Sequence, residues 1–222
     1  MASSKSPPGP DPAGLFAFDR RQGTGAVAGT DEAGRGCLAG PIVAAAVLFD
    51  RQCIENRAGG LLDGLNDSKK LTAKARERLY PVVMRCAARV SVSMRSARYI
   101  DANGLHVSNR EVLAAALVAL DIPPDTSCFV DGFNLPDCPV AHQQLVKGDS
   151  TSAAVAAASI VAKVTRDRYM VRVSGLYPEY GLDGHKGYAS EAHRDAIREF
   201  GPTPIHRMSF RSSAYGESVD QA

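Results

Sequence analysis

No run of about 18 apolar residues occurs anywhere in the chain, so no segment has the composition of a membrane-spanning helix. The first fourteen residues, MASSKSPPGPDPAG, lack the apolar core of a secretory signal and are expected to form a disordered tail. Cysteine is sparse. Cys37, Cys53, Cys86, Cys128 and Cys138 make an odd count of 5 with no C-x-x-C pair. That argues against a zinc site or a disulfide framework and for a reducing, cytoplasmic setting. Net charge is also small, +2, so the overall balance barely favours nucleic acid and any electrostatic footprint must come from local clustering. Internal repeats are absent. So is Gly-x-x-x-x-Gly-Lys-Ser/Thr, which excludes a P-loop nucleotide site. What remains, 45% apolar and 23% charged over 222 residues, is one ordinary globular domain able to bury a core without staples.

The hydrophobic pattern alternates between strand-like and helical stretches. Residues 26–30 and 42–49 are short apolar runs that read as a hairpin joined by 34–41. Residues 53–64 read as a loop. Thr72 is placed to cap a helix running to about residue 88, and 89–95 alternate as a strand does. A helix over 109–120, a short strand at 128–130, another at 140–146, an alanine-rich helix over 151–170 and a helix over 191–200 follow, with a glycine-rich loop at 177–188.

Three acidic positions share one context, because Asp31, Asp131 and Asp149 each follow a strand-like run. Strand ends are where sites gather in open α/β sheets. Taken singly each acid has a plain explanation: Asp31-Glu32 and Asp131-Gly132 as turns, Asp149 as a helix cap. Together with Glu32, however, they form a set whose mutual repulsion a divalent cation would offset. Two such ions about 3.5–4 Å apart can clamp a phosphoryl displacement. Directly after Glu32 comes Ala-Gly-Arg-Gly, in which Gly34 and Gly36 flank Arg35. Glycine lets a backbone approach a ligand closely, and arginine pairs with phosphate.

These stretches also resemble a known family. Asp-Glu-Ala-Gly-Arg-Gly at 31–36 with Gly-Pro at 40–41 resembles the opening motif of type 2 ribonuclease H (ribonuclease HII). Asn-Asp-Ser-Lys-Lys-Leu at 66–71, Asp131-Gly132, Lys-Gly-Asp-Ser at 147–150, residues 157–167, His-Lys-Gly-Tyr at 185–188 and His-Arg-Met-Ser-Phe at 206–210 continue it in family order. The resemblance implies a ribonuclease H-like α/β fold: a mixed five-stranded sheet with flanking helices and a helical C-terminal extension. The catalytic domain would cover 15–210 and a flexible tail 211–222. It further implies an endoribonuclease that cuts the RNA strand of RNA–DNA hybrids and cuts 5′ of single ribonucleotides in duplex DNA. The products would carry 3′-hydroxyl and 5′-phosphate ends, and the cofactor would be Mg²⁺ or Mn²⁺, two ions during catalysis.

By the same resemblance, Asp31, Glu32, Asp131 and Asp149 are the catalytic metal ligands; the place of Asp31 at the end of the presumed central strand makes it the expected bridging ligand. Gly34, Arg35 and Gly36 contact the 2′-hydroxyl, and Tyr188 packs on the neighbouring deoxyribose. Lys69 and Lys70 lie near substrate phosphates. Lys147, Lys163, Arg166 and Lys186 extend a phosphate track, although Lys163 and Asp167 also fit an i,i+4 pair. The histidines His185, His193 and His206 match no standard zinc spacing. Two positions depart from the family pattern: Cys37 replaces a more usual Pro or small residue, and Phe133 a common Asn.

Several rival readings fit less well. Gly23-x-Gly25-x-x-Ala28 mimics a dinucleotide fingerprint without a preceding strand. A type 3 ribonuclease H lacks the match at Tyr188, and a catalytically dead binding module would not keep all four acids. The last dozen residues lack a Gln-x-x-hydrophobic-x-x-aromatic motif, so a monomer acting on nucleic acid without a sliding clamp is expected.

Overall fold

The structure, a computed structural model, describes residues 12–56, 60–66 and 68–215. Five strands form one mixed sheet: β1 Ala26–Ala33, β2 Ile42–Asp50, β3 Arg89–Arg95, β4 Thr126–Asp131 and β5 Gln143–Leu145, in the order β3-β2-β1-β4-β5. β1 pairs antiparallel with β2 and parallel with β4, so it is the central strand. The hairpin expected from the two apolar runs is present, with residues 34–41 as its connection.

Helices cover both faces, which is why β2 is buried along nearly its whole length instead of alternating. On one face lie α1 Pro12–Arg21, α2 Arg51–Asn56, α3 Ala73–Cys86 and α6 Ala153–Ser174, over Val27, Ala45, Val47 and Phe49. On the other lie α4 Ala97–Asn103 and α5 Leu105–Ala119, over Ala28, Ala44, Ala46 and Leu48. A third cluster joins α7 Leu182–His185 and α8 Glu191–Phe200 to the far end of α6 through Met170, Tyr180, Leu182 and Ile197. This is the helical C-terminal part.

Several boundaries differ from expectation for local reasons. The segment read as a tail at 1–14 enters α1 at Pro12, where proline suits a first helical turn; residues 1–11 lie outside the described residues. Residues 53–56 of the expected loop belong to α2, whose residue Cys53 receives a first-turn cap from Asp50 through its N–H. The helix expected from 109 begins at Leu105. Gly104, at φ 82°, separates it from α4, a helix the periodicity did not reveal. The strand expected over 140–146 narrows to three residues. In the expected C-terminal tail, Ser213–Tyr215 form a 3-10 turn. Ala214 is buried there and Tyr215 Oη donates to the Leu38 carbonyl at 3.1 Å. Residues 216–222 lie outside the described residues.

One contact sets the spacing of the layers. α6 opens with Ala153, Ala154, Val155, Ala156, Ala157 and Ala158, all buried, so its backbone comes very close to β1. A Cβ placed on Gly29 would run into the backbone nitrogen of Val155 and the carbonyl carbon of Ala154. The entry to α6 is capped twice. Ser152 Oγ accepts from Val155 N–H, and the buried Asp19 of α1 accepts from Ala154 N–H at 3.1 Å. Burial pushes the Asp19 carboxyl up to about 7.

Because backbone cannot yield as a side chain can, Gly29→Ala is expected to destabilise the fold by about 2–3 kcal/mol or more. That corresponds to a fall of roughly 5–10 °C in thermal midpoint for a domain of this size. Gly36→Ala, where an added Cβ meets nothing within 4 Å, is the control and should leave the midpoint unchanged.

Candidate active site

The end of the central strand carries the first two acids. Asp31 and Glu32 lie inside β1 and not beyond it, and successive strand residues point to opposite faces. The parallel register pairs Thr30 with Val130, which puts Asp31 beside Asp131, the last residue of β4. Asp149 reaches the same place by another route. It sits in a 3-10 turn, Gly148–Ser150, entered through Lys147 at φ 56°. Gly148 N–H donates to Asp131 Oδ1 at 2.7 Å, tying that turn to the end of β4.

Carboxylate oxygens of Asp31, Asp131 and Asp149 consequently lie within 4.8 Å of one another. Glu32 stands apart from that trio. Its Oε1 is 3.6 Å from Arg35 Nε, while its Oε2 is buried with no hydrogen-bond partner. Burial raises the Asp31 carboxyl well above the usual range, and the charges of Glu32 and Asp131 add to this. Burial pushes Glu32 up to about 7, with Arg35 opposing. Ser159 of α6 hydrogen-bonds Asp31 and also lies 2.7 Å, oxygen to oxygen, from the buried Ser68. Converging hard oxygens, mutual repulsion and an orphaned carboxylate oxygen together suit a divalent cation.

Asp31, Glu32 and Asp131 border a cleft of about 380 Å³ also lined by Gly34, Arg35, Gly36, Lys69, Phe133, Lys163 and Tyr188. Lys69 Nζ is 3.7 Å from Asp149 Oδ2. Lys70 lies outside this cleft, in a neighbouring depression with Arg21 and Thr151, and its Nζ donates to Ser150 Oγ at 3.4 Å. Arg35 stacks over Phe133, guanidinium carbon to ring centroid 4.8 Å, so the departure at Phe133 places an aromatic face under the turn's arginine. Gly34 needs its φ of 96°, and a Cβ there would strike the Arg166 guanidinium. Gly36 faces open space, which leaves its backbone accessible to a ligand.

Arg166 is not part of a phosphate track, because it is fully buried. Its Nε donates to the Pro41 carbonyl, Nη1 to Lys186 and Nη2 to Ala39, each at 2.9 Å. Arg207 is equally buried. It donates twice to the Gly40 carbonyl and from Nη1 to the Arg35 carbonyl at 2.8 Å, and burial lowers its pKa to about 10. These two guanidinium groups pin residues 35–41 to the 186–188 loop. Sequence alone offers no means of telling such an arginine from a surface one. Lys163 forms the i,i+4 pair with Asp167 at 2.8 Å, and its Nζ also lies 5.0 Å from the Tyr188 ring centroid. Cys37 bridges backbone to backbone with Tyr188.

Arg166→Met strands three buried carbonyls and is expected to cost about 3 kcal/mol or more in urea denaturation. Arg166→Lys should recover less than half of this, since an ammonium cannot address three carbonyls in one plane.

A family model described as Ribonuclease HII matches residues 28–213, a span that holds Asp31, Glu32, Asp131 and Asp149. A Ribonuclease HII of Brucella suis is 47% identical over 192 residues, 86% of this chain and 84% of that protein. Among solved structures, ribonuclease H2 from Pyrococcus horikoshii OT3 matches with a TM-score of 0.70 and 28% identity, over 86% of this chain and 95% of that one. The RNase HII in the PCNA:RNase HII complex from Archaeoglobus fulgidus matches with a TM-score of 0.70 and 28% identity, over 84% of this chain and 95% of that one. Sheet order, acidic cluster and these likenesses agree, and the chain belongs to the ribonuclease HII family, the enzymes with ribonuclease H activity.

Proposed function

We propose that this enzyme cuts on the 5′ side of a single ribonucleotide embedded in duplex DNA, as well as within RNA–DNA hybrids, leaving 3′-hydroxyl and 5′-phosphate ends. The observation that carries the reading is the continuity between the acids and the glycine-arginine-glycine turn. Asp31 and Glu32 are joined through one residue, Ala33, to Gly34, Arg35 and Gly36. A group recognised by the turn is therefore held at a set distance from the acids.

Asp31, Asp131 and Asp149 would hold divalent ions, Mg²⁺ or Mn²⁺ and two in number during catalysis, with Glu32 as a fourth ligand once its orphaned oxygen is used. Such ions, when bound, supply activation of the attacking water and stabilisation of the leaving 3′-oxygen. The open backbone at Gly36 and its neighbours reads the 2′-hydroxyl, the group by which a protein tells RNA from DNA at one position. Tyr188, 40% exposed at the cleft wall, offers a ring face to the next sugar, where a second hydroxyl would clash. Lys69 steadies a substrate phosphate beside Asp149, and Lys70 a phosphate further along.

The biological role that follows is removal of ribonucleotides from DNA and of RNA primers, in the cytoplasm, by a monomer. All five cysteines are free, which suits a reducing compartment. No helix among the described residues is long and apolar enough to cross a membrane. The Archaeoglobus fulgidus relative forms a complex with PCNA. For this chain nucleic acid is the partner proposed.

Asp131→Asn is expected to lower turnover more than about 100-fold, given that even outer-shell partners of a metal are worth ~10–100-fold. The thermal midpoint should hold or rise, because repulsion with Asp31 and Glu32 is relieved. Near-normal turnover in Mg²⁺ and in Mn²⁺ would remove Asp131 from the site. Tyr188→Ala should weaken cleavage at a lone ribonucleotide by about tenfold more than cleavage of a continuous hybrid, the size of one lost packing contact. Equal losses on the two substrates would end the junction role.

A further inference from the structure

Next to Tyr188, and outside the lining of the cleft, three histidines are packed together. His185 and His193 stack with ring centroids 4.3 Å apart, and His193 Nε2 lies 3.2 Å from His206 Nε2. His193 and His206 are buried. The partners of each ring assign its protons. A carbonyl only accepts, so His193 Nδ1, 2.9 Å from the Tyr188 carbonyl oxygen, carries a hydrogen and leaves Nε2 as an acceptor. A backbone N–H only donates, so His206 Nδ1, 2.9 Å from Thr203 N, is a lone pair and the His206 hydrogen is on Nε2. That hydrogen points at His193 Nε2. The result is one directed chain, Thr203 N–H to His206 to His193 to the Tyr188 carbonyl, in which both rings are neutral. His185 is fixed in the same way. Its Nε2 donates to the Tyr180 carbonyl at 2.8 Å, and its Nδ1 accepts from Gly187 N–H at 3.2 Å.

The rest of the Tyr188 backbone is equally constrained. Its N–H donates to the His185 carbonyl at 3.0 Å. Gly187, at φ 81°, presents its carbonyl to Leu38 N–H at 2.9 Å, and a Cβ there would lie 2.5 Å from the Ala39 oxygen. The Tyr188 side chain, by contrast, is half open to the cleft and flanked by Lys163 and Arg166. The ring's pose is therefore inherited in part from the backbone that the histidines hold, whose carbonyl also accepts from Ser190 N–H at 2.8 Å, while the Tyr188 hydroxyl is hydrogen-bonded with Cys37.

We propose that His193 is a positioning residue for the cleft: the neutral imidazole, aligned by His206, sets the pose in which Tyr188 discriminates the sugar beside the cut. The inference rests on the junction role given to Tyr188 above, and it assigns work to a residue that touches neither substrate nor metal ligand. It also accounts for three histidines whose spacing fits no zinc motif. Their ring nitrogens are engaged in orienting a loop.

The test measures kcat and KM in Mg²⁺ on two substrates, duplex DNA with one ribonucleotide and a continuous RNA–DNA hybrid. The ratio of the two kcat/KM values is the readout, because a loss of folded enzyme lowers both alike. The variants are His193→Asn, His193→Gln and Tyr188→Ala. Asparagine places an amide N–H near the Nδ1 position and keeps the bond to the Tyr188 carbonyl, whereas glutamine places it near Nε2 and loses that bond. His193→Gln is expected to lower the ratio by about tenfold, and His193→Asn to hold it within about threefold, as the loss or retention of one buried hydrogen bond implies. Equal ratios for Asn and Gln, with Tyr188→Ala shifting the ratio, overturn the role of His193 and leave that of Tyr188 standing. An unchanged ratio in Tyr188→Ala overturns the Tyr188 reading itself. Should both His193 variants fold poorly, Thr203→Pro, which removes the N–H at the head of the chain, must lower the ratio or the proposal falls.

Discussion

The molecule depends on the contact between Gly29 and the first turn of α6. There, backbone meets backbone with no side chain between, and everything around the site takes its distance from that approach. Two residues further along β1 is Asp31, and four residues before α6 is Asp149. A gap set by backbone is the same in every thermal fluctuation that leaves the helix and strand intact, whereas a gap set by leucines would breathe with their rotamers. The alanines of α6 have this purpose. They give up buried apolar area in order to let helix and sheet close, and Asp19 and Ser152 hold the helix entry where the acidic turn is attached.

A second frame holds the glycine-arginine-glycine turn. Arg166 and Arg207 are buried cations satisfied by carbonyl oxygens at the turn and at the 186–188 loop. Carbonyl partners suit this place better than carboxylates would. Carbonyl dipoles stabilise the guanidinium without adding further negative charge near the acidic cluster. The planar fork also matters, since each arginine joins segments more than 100 residues apart in sequence, from residues 35–41 to α6 or to the C-terminal part. The C-terminal part thus serves the site although it contributes Tyr188 alone to the cleft.

How much of this could be read in the sequence differs by element. The hairpin of β1 and β2, the Thr72-capped α3, β3, the alanine-rich α6 and α8 all carry strong periodicity or capping signals, and the structure has them. α4 and β5 are short, and their boundaries are set by tertiary contacts and a positive-φ glycine, not by pattern. The convergence of Asp31, Asp131 and Asp149 was legible from their shared context, but the physical routes differ. Two are neighbours in a parallel strand pair, and the third arrives on a 3-10 turn through a left-handed lysine. Arg166 misled because a lone sequence prices every arginine as exposed. Its burial follows from Gly34 and Gly40 leaving room for it, which no local pattern reveals.

Glu32 shows how the two frames join. It lies next to Asp31 in the strand yet outside the trio of converging oxygens, and its charge is opposed by Asp131 and favoured by Arg35. Arg35 in turn is fixed at both ends, its carbonyl held by Arg207 and its guanidinium stacked on Phe133 from the β4 end of the site. The turn is thus joined to the acids by charge as well as by the chain, for any movement of Arg35 changes the electrostatic setting of Glu32. Because the turn's arginine is a counter-ion of Glu32, a rearrangement of the turn is felt at the carboxylates. That coupling exists in the protein alone, before a ligand of either kind is bound.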